Sequence, residues 1–215
     1  SWAAYRSDGG KMSLGDWRRD NVNQFIKRLY RGIKREKPHV KFGLSPFGIW
    51  RPGHPPSISG LDQYEVLYAD ARRWLQEGWV DYLSPQLYWP IRQVPQSYPM
   101  LLAWWTEQNT QARHVWPGLY ASGIKNARGA DEIVNQIMVA RAMVSTGAGH
   151  VHFSMKALRE NRGGIVDSLG AQPYARKALV PPSPWLDGRP PNAPSLNLDI
   201  RNEQVRVQWA HADTE

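Results

Sequence analysis

Two short stretches of this chain share one layout, and that layout limits what the chain can fold into. Phe42-Gly-Leu-Ser-Pro-Phe-Gly-Ile-Trp50-Arg51 and Asp81-Tyr-Leu-Ser-Pro-Gln86-Leu-Tyr88-Trp89-Pro90 each open with a small apolar run suited to a buried strand. A Ser-Pro pair stops each run, and aromatic and hydrogen-bonding side chains follow. Each stretch also comes after an amphipathic helical pattern. Strands that alternate with helices form parallel sheets, and a parallel barrel carries its site at the C-terminal ends of its strands. Trp, Arg, Gln and Tyr at those ends would suit a sugar.

The same alternation runs along the chain. Residues 16–36 predict a helix, with Val22, Phe25, Ile26, Leu29, Tyr30 and Ile33 on one face, Ser13 or Asp16 as its cap and Pro38 as its stop. A strand is expected over 40–44. A helix over 64–77 follows, with Leu67, Ala71, Trp74 and Leu75 facing inward. Then come a strand over 79–83, a helix over 98–108, a strand over 114–120 weakened by Pro117, a helix over 131–145 and a strand over 150–155. Residues 163–179 predict a closing helix.

Composition then shifts. Residues 180–194 form a stiff proline-rich linker, and 195–200 and 204–209 alternate like two strands joined at Arg201-Asn202-Glu203. The expected domains are 1–179, an α/β unit; 180–194, a linker; and 195–215, the truncated start of a β-sandwich.

Composition narrows the chemistry. The chain has no cysteine, so thiolate metal sites, thiol nucleophiles and disulfides are excluded. No run approaches the ~18 apolar residues of a membrane span, so no transmembrane segment is expected. A net charge of +8 favours an anionic partner, but the cations are spread and no nucleic-acid motif accompanies them, so nucleic acid is not expected. Eleven tryptophans supply flat apolar faces for pyranose rings, or filling for a core.

Longer matches carry a resemblance. Asp16-Trp-Arg-Arg-Asp-Asn-Val-Asn23, Val40 to Arg51, Leu67-Tyr-Ala-Asp70, Glu77-Gly-Trp-Val-Asp-Tyr82, Pro85-Gln-Leu-Tyr-Trp-Pro90, Phe153-Ser154 and Leu179 to Asp187, in this order and spacing, resemble the glycosyl hydrolase-like 10 family. The resemblance implies a (β/α)8 TIM-barrel glycosidase, usually exported in bacteria (periplasmic, outer-membrane lipoprotein or extracellular) and often followed by a fibronectin-like module. It also implies a cell-envelope glycan as substrate. The family includes a division-associated glycosidase of peptidoglycan stripped of its peptides, and a poly-N-acetylglucosamine-processing hydrolase is more distantly similar.

This chain departs from the family pattern in lacking the acidic motif at the end of the fourth strand, two adjacent aspartates followed by aromatics. It also lacks the first strands. The chain is therefore expected to be the C-terminal part of the barrel, about strands 5–8. Its catalytic aspartates are expected upstream of Ser1, and the fragment alone is expected to be inactive. Free sheet edges would favour self-association.

Glycosidic cleavage needs two carboxylates, and no pair stands out at a strand end. Asp81 sits at a strand entrance, where a structural bond is expected. Asp62, Glu65, Asp70, Glu77, Glu107, Asp131 and Glu132 fall in or beside helices, mostly solvated.

The candidate substrate-binding residues follow the strands. Trp50 would stack on a sugar or pack its loop, and Arg51 would pair with a carboxylate of substrate or protein. Gln86, Tyr88 and Trp89 suit hydroxyl and acetamido groups, with core filling the alternative for Tyr88. Tyr120 ends the next strand, Lys125 lies just after it in a Gly-containing loop, and Ser154 and Lys156 end the last. His150 and His152 suit a satisfied core better than a metal, so neither metal nor cofactor is expected. A non-catalytic glycan-binding protein is the rival expectation.

Overall fold

In the computed structural model, residues 1–145, 147–189, 192–201 and 204–210 are described. The chain divides into two units, Ser1–Pro182 and Ser183–Glu215.

The first unit opens with α1 (Trp2–Ser7), a helix that the sequence reading missed, and α2 (Leu14–Glu36). Ser13 caps α2: its Oγ accepts the Asp16 N–H at 3.1 Å and donates to Asp16 Oδ2 at 2.7 Å. Lys34 and Arg35 in the last turn complement the helix dipole. Ile26 is buried, but Phe25 and Leu29, expected on the packed face, are exposed.

Strands β1 (Gly43–Leu44), β2 (Tyr82–Leu83) and β3 (His114–Val115) pair in parallel, with Gly43 beside Tyr82 and Tyr82 beside His114. Strands β4 (Gly118–Leu119) and β5 (Val151–His152) form a second parallel pair. Bridges from Gln86 to Phe47 and to Gly118 join the two sets.

The expected strand over 114–120 is therefore divided at Pro117, which has no N–H to donate. Its neighbours hold the ladder: Trp116 N–H donates to Leu83 O at 2.9 Å and Gly118 N–H to Pro85 O at 2.8 Å. Among the described residues the sheet is open, since β1 pairs with β2 alone and β5 with β4 alone.

Helices and strands share one apolar core. The expected 64–77 helix is broken into α3 (Gln63–Val66) and α4 (Ala71–Gln76). Tyr68 adopts a left-handed φ of 53° between them, and Asp70 caps α4 by accepting the Arg73 N–H. The break leaves Leu67 exposed rather than inward.

Helix α5 (Tyr98–Glu107) buries Leu101, Leu102 and Trp105 as its pattern requires. Helix α6 (Ala127–Met143) starts four residues before the expected position because Asn126 caps it. Short α7 (Met155–Arg159) and α8 (Ile165–Ala171) follow β5, so the 163–179 helix is only partly formed. Leu83, Val115 and Leu119 of the strands, and Leu87 after β2, are fully or almost fully buried with Leu75, Leu101, Leu102, Trp105, Ile137 and Ile165. Burying side chains of this size stabilises each by about 1.5–3 kcal/mol. Trp105 also satisfies its indole N–H on Gly48 O at 2.8 Å.

Asp81 is fully buried at the entrance of β2. It accepts the Phe42 N–H at 2.7 Å and pairs with Lys34, so it ties α2 to two strands and serves the structure.

The second unit contains an antiparallel hairpin, β6 (Ser195–Arg201) with β7 (Gln204–Ala210). Arg201, expected in the turn, ends β6, and the turn residues Asn202 and Glu203 lie outside the described residues. No helix among the described residues is long and apolar enough to cross a membrane.

Candidate functional site

The parallel register brings together residues that follow different strands. Tyr88 comes after β2, Tyr120 directly after β4, and Phe153 directly after β5. Leu119 stands opposite His152, so Tyr120 and Phe153 continue that register. Their rings stack 6.3 Å apart at 19°, and Tyr88 stacks on both, 5.4 Å from Tyr120 and 5.6 Å from Phe153. Three rings from three loops thus form one aromatic tier. Tyr120 and Phe153 are 45% and 51% exposed, so the tier is open to solvent.

Close backbone approach makes this arrangement possible. A Cβ at Gly48 would strike the Gln86 carbonyl oxygen and the Trp89 ring, and one at Gly118 would lie 3.1 Å from the Tyr88 ring. Gln86 Nε2 donates to Ser45 O at 2.9 Å, which fixes its amide between β1 and β2. The Trp89 ring meets Phe47 edge-on at 5.5 Å. Burial raises the Tyr88 phenol above its ordinary value, so its hydroxyl stays protonated and able to donate.

Beside the tier lies a cleft of about 200 Å³, lined by Tyr88, Trp89, Tyr120, Ile124, Glu132 and Gln136 among others. Exposed Lys125 precedes α6, exposed Arg128 lies in its first turn, and exposed Lys156 and Arg159 lie on α7. Lys156 Nζ is 3.8 Å from Glu160. Ser154 Oγ lies 3.2 Å from Ser122 Oγ, which links the loops after β4 and β5.

The structure therefore brings Gln86, Tyr88, Trp89, Tyr120 and Ser154 to the C-terminal ends of neighbouring strands, with Lys125 and Lys156 on the flanking segments. Trp50 and Arg51 are placed elsewhere. Trp50 is only 8% exposed, stacks on Trp104 at 5.7 Å and donates its indole N–H to Asp70 at 3.1 Å. That indole is part of the core and presents no free face to a sugar. Arg51 pairs with the protein carboxylates Asp62 and Glu65, each at 3.2 Å.

The acids near the tier are committed to protein partners. Glu132 Oε1 accepts the Ile91 N–H at 2.7 Å, and Glu160 Oε2 accepts from Arg162 Nε at 2.7 Å. Neither carboxylate is placed as one of a free acid and base pair.

His150 and His152 do not join this site. Both ring Nε2 atoms bond the Tyr174 hydroxyl, and His150 lines a separate hollow of about 480 Å³ with Trp116, Arg141 and Tyr174. No cluster of three or more metal-ligating side chains occurs among the described residues.

The sequence reading missed Phe153 and gave Glu132 to solvent. Alternation carried the signal for Phe153: if His150 and His152 turn to the helices, Phe153 must turn the other way.

With this geometry in place, comparison with known proteins is decisive. The profile of the family described as "Glycosyl hydrolase-like 10" matches residues 3–136. The chain belongs to that family. Among curated relatives, Glycosyl hydrolase YngK of Bacillus subtilis (strain 168) is 42% identical over 195 residues, which is 86% of this chain and 38% of that protein. Glycosyl hydrolase DigH of Escherichia coli (strain K12) is 44% identical over 108 residues, 48% of this chain and 25% of that protein. The chain thus spans well under half the length of either relative. The matched 3–136 region includes Tyr88 and Tyr120, whereas Phe153 follows it.

Proposed function

We propose that this chain forms the glycan-holding side of a glycoside hydrolase cleft. The observation that carries the reading is the shared tier of Tyr88, Tyr120 and Phe153 at the ends of three neighbouring parallel strands. Aromatic faces suit the C–H faces of pyranose rings, the Tyr88 and Ser154 hydroxyls and Gln86 amide suit sugar hydroxyls, and the exposed lysines suit an acidic substituent. In this reading the sheet continues into a (β/α)8 barrel, the hairpin belongs to a β-sandwich module, and the cleaving carboxylates lie outside these 215 residues. Residues of this chain align the sugar, which lowers the barrier by positioning. The substrate proposed is a cell-envelope glycan, peptidoglycan freed of its peptides or a poly-N-acetylglucosamine-like polymer, met by an exported enzyme. The 215 residues alone bind but do not cleave.

The test is affinity electrophoresis of the purified chain through gels containing soluble peptide-free peptidoglycan strands. Retardation is expected, and Tyr120→Ala combined with Phe153→Ala abolishes it while the melting curve stays cooperative. Unretarded migration of the wild-type chain at all glycan concentrations overturns the reading. Because the Glu132 and Glu160 carboxylates are both bonded to protein groups, a purely glycan-binding role is the second reading. Strand cleavage by the longer protein would discard it.

A further inference from the structure

The stretch that carries Tyr88 and Trp89 is short of regular structure, yet it is gripped from α6 on both sides of Pro90. Gln136 Nε2 donates to the Trp89 carbonyl at 3.1 Å, and Glu132 Oε1 accepts the Ile91 N–H at 2.7 Å. The two clamp residues also bond each other, Gln136 Nε2 to Glu132 Oε1 at 2.9 Å. They stand at i and i+4 on one helix, the spacing at which side chains meet. The Gln136 amide orientation follows from these bonds, since turning it over would set its oxygen against two acceptors. Gln136 is 3% exposed, so the grip on Trp89 is shielded from water.

Pro90 has no N–H and a fixed φ. With the carbonyl before it and the N–H after it both held, the backbone that aims Tyr88 and Trp89 has little freedom. Glu132 and Gln136 also line the cleft beside the tier. We propose that Glu132 and Gln136 are positioning residues, which hold the Tyr88–Trp89 turn so that the Tyr88 ring stays stacked on Tyr120 and Phe153 with its face aligned for a sugar. This rests on the glycan-holding reading of the tier and adds the part of the fold that sets its geometry.

The test uses the full 215-residue chain with Glu132→Ala, Glu132→Gln and Gln136→Ala. Glutamine keeps an oxygen acceptor for Ile91, and alanine does not. Two quantities are read by NMR: hydrogen-exchange protection of the Ile91 amide, and affinity for the soluble N-acetylglucosamine tetramer. Glu132→Ala is expected to lose Ile91 protection and to weaken tetramer binding roughly tenfold, the size expected when a positioning hydrogen bond is lost. Glu132→Gln is expected to retain both, a rescue that general loss of stability would not give. Gln136→Ala, which releases Trp89, weakens binding in the same direction and serves should Glu132→Ala not fold.

Unchanged Ile91 protection in Glu132→Ala overturns the clamp, and so does lost protection with unchanged affinity. If the wild-type chain does not bind the tetramer, the glycan reading falls by itself. The clamp is then decided by the Tyr88–Tyr120 ring contact in nuclear Overhauser spectra. Its loss in Glu132→Ala upholds the clamp, and its persistence overturns it.

Discussion

Trp50 lies parallel to Trp104, with ring centroids 5.7 Å apart and planes 19° from one another. Tyr64 and His54 meet the Trp50 ring edge-on, and Asp70 accepts a hydrogen bond from its indole N–H. A side chain enclosed in this way contributes packing. Trp50→Ala is therefore expected to destabilise the fold by about 3–5 kcal/mol, the range for truncating a large buried aromatic. Urea unfolding followed by circular dichroism measures it. A variant of wild-type stability with weakened glycan binding would instead put Trp50 back at the mouth.

Asp81 gives a second stability prediction of different origin. Its carboxylate is fully buried, and Lys34, the Phe42 N–H and the Tyr30 hydroxyl at 3.3 Å are gathered on it. Removing one partner of such a pair leaves the other charge unpaired, which costs about 3–5 kcal/mol. Asp81→Ala should lose that much in urea melts, and Asp81→Ala with Lys34→Met should recover part of it. An Asp81→Ala loss below about 1 kcal/mol would contradict the account.

These two residues also show what a sequence can and cannot convey. Asp81 was legible because it precedes the apolar run of its strand, and the entrance of a parallel strand is a structural end. Helix α2 was legible from its 3.6-residue period and from two cap candidates, Ser13 and Asp16, of which Ser13 is the cap, and so was the parallel order of strands and helices. Trp50 was not, because an aromatic just past a strand can turn to the mouth or back into the helical layer. That choice depends on Trp104 and Asp70, which are distant in sequence.

The break between α3 and α4 was hidden for a related reason. Residues 64–77 have helical periodicity throughout, but a left-handed turn at Tyr68 and a cap by Asp70 divide them. Glu132 read as a solvated helix acid because its partner, the Ile91 N–H, is a backbone group that carries no sequence signal.

The histidine pair supplies a pH dependence. Burial first, then the neighbouring His152 and Arg141, lower the His150 pKa from 6.5 to about 4, and burial also lowers that of His152. The folded state therefore favours neutral imidazole. Between about pH 6.5 and 4 the unfolded chain binds more protons than the folded one, so stability present above pH 6.5 is lost as pH falls through that window. For His150 the full loss is roughly 3 kcal/mol. Urea midpoints at pH 7, 5.5 and 4.5 should decline in that order, and His150→Gln should flatten the decline. Equal slopes in wild type and variant would remove His150 as the cause.

The free sheet edges set the last expectation. Strand β1 has a partner only in β2, and β5 only in β4, among the described residues. Unpaired N–H and C=O groups along such edges are templates for another strand. Close to them Val151 and Phe153 are 43% and 51% exposed, so pairing would also cover apolar surface. The 215-residue chain is therefore expected to self-associate in a concentration-dependent way when light scattering is measured on the eluting peak. The Val151 N–H is already bonded to Pro117 O at 3.0 Å, so the test leaves the backbone alone and places Lys at Val151, which adds charge beside the edge. Val151→Lys should shift the population toward monomer. A wild-type chain that elutes as a monomer at 100 µM or so, an order-of-magnitude working concentration at which exposed edges commonly aggregate, would show that these edges are not sticky.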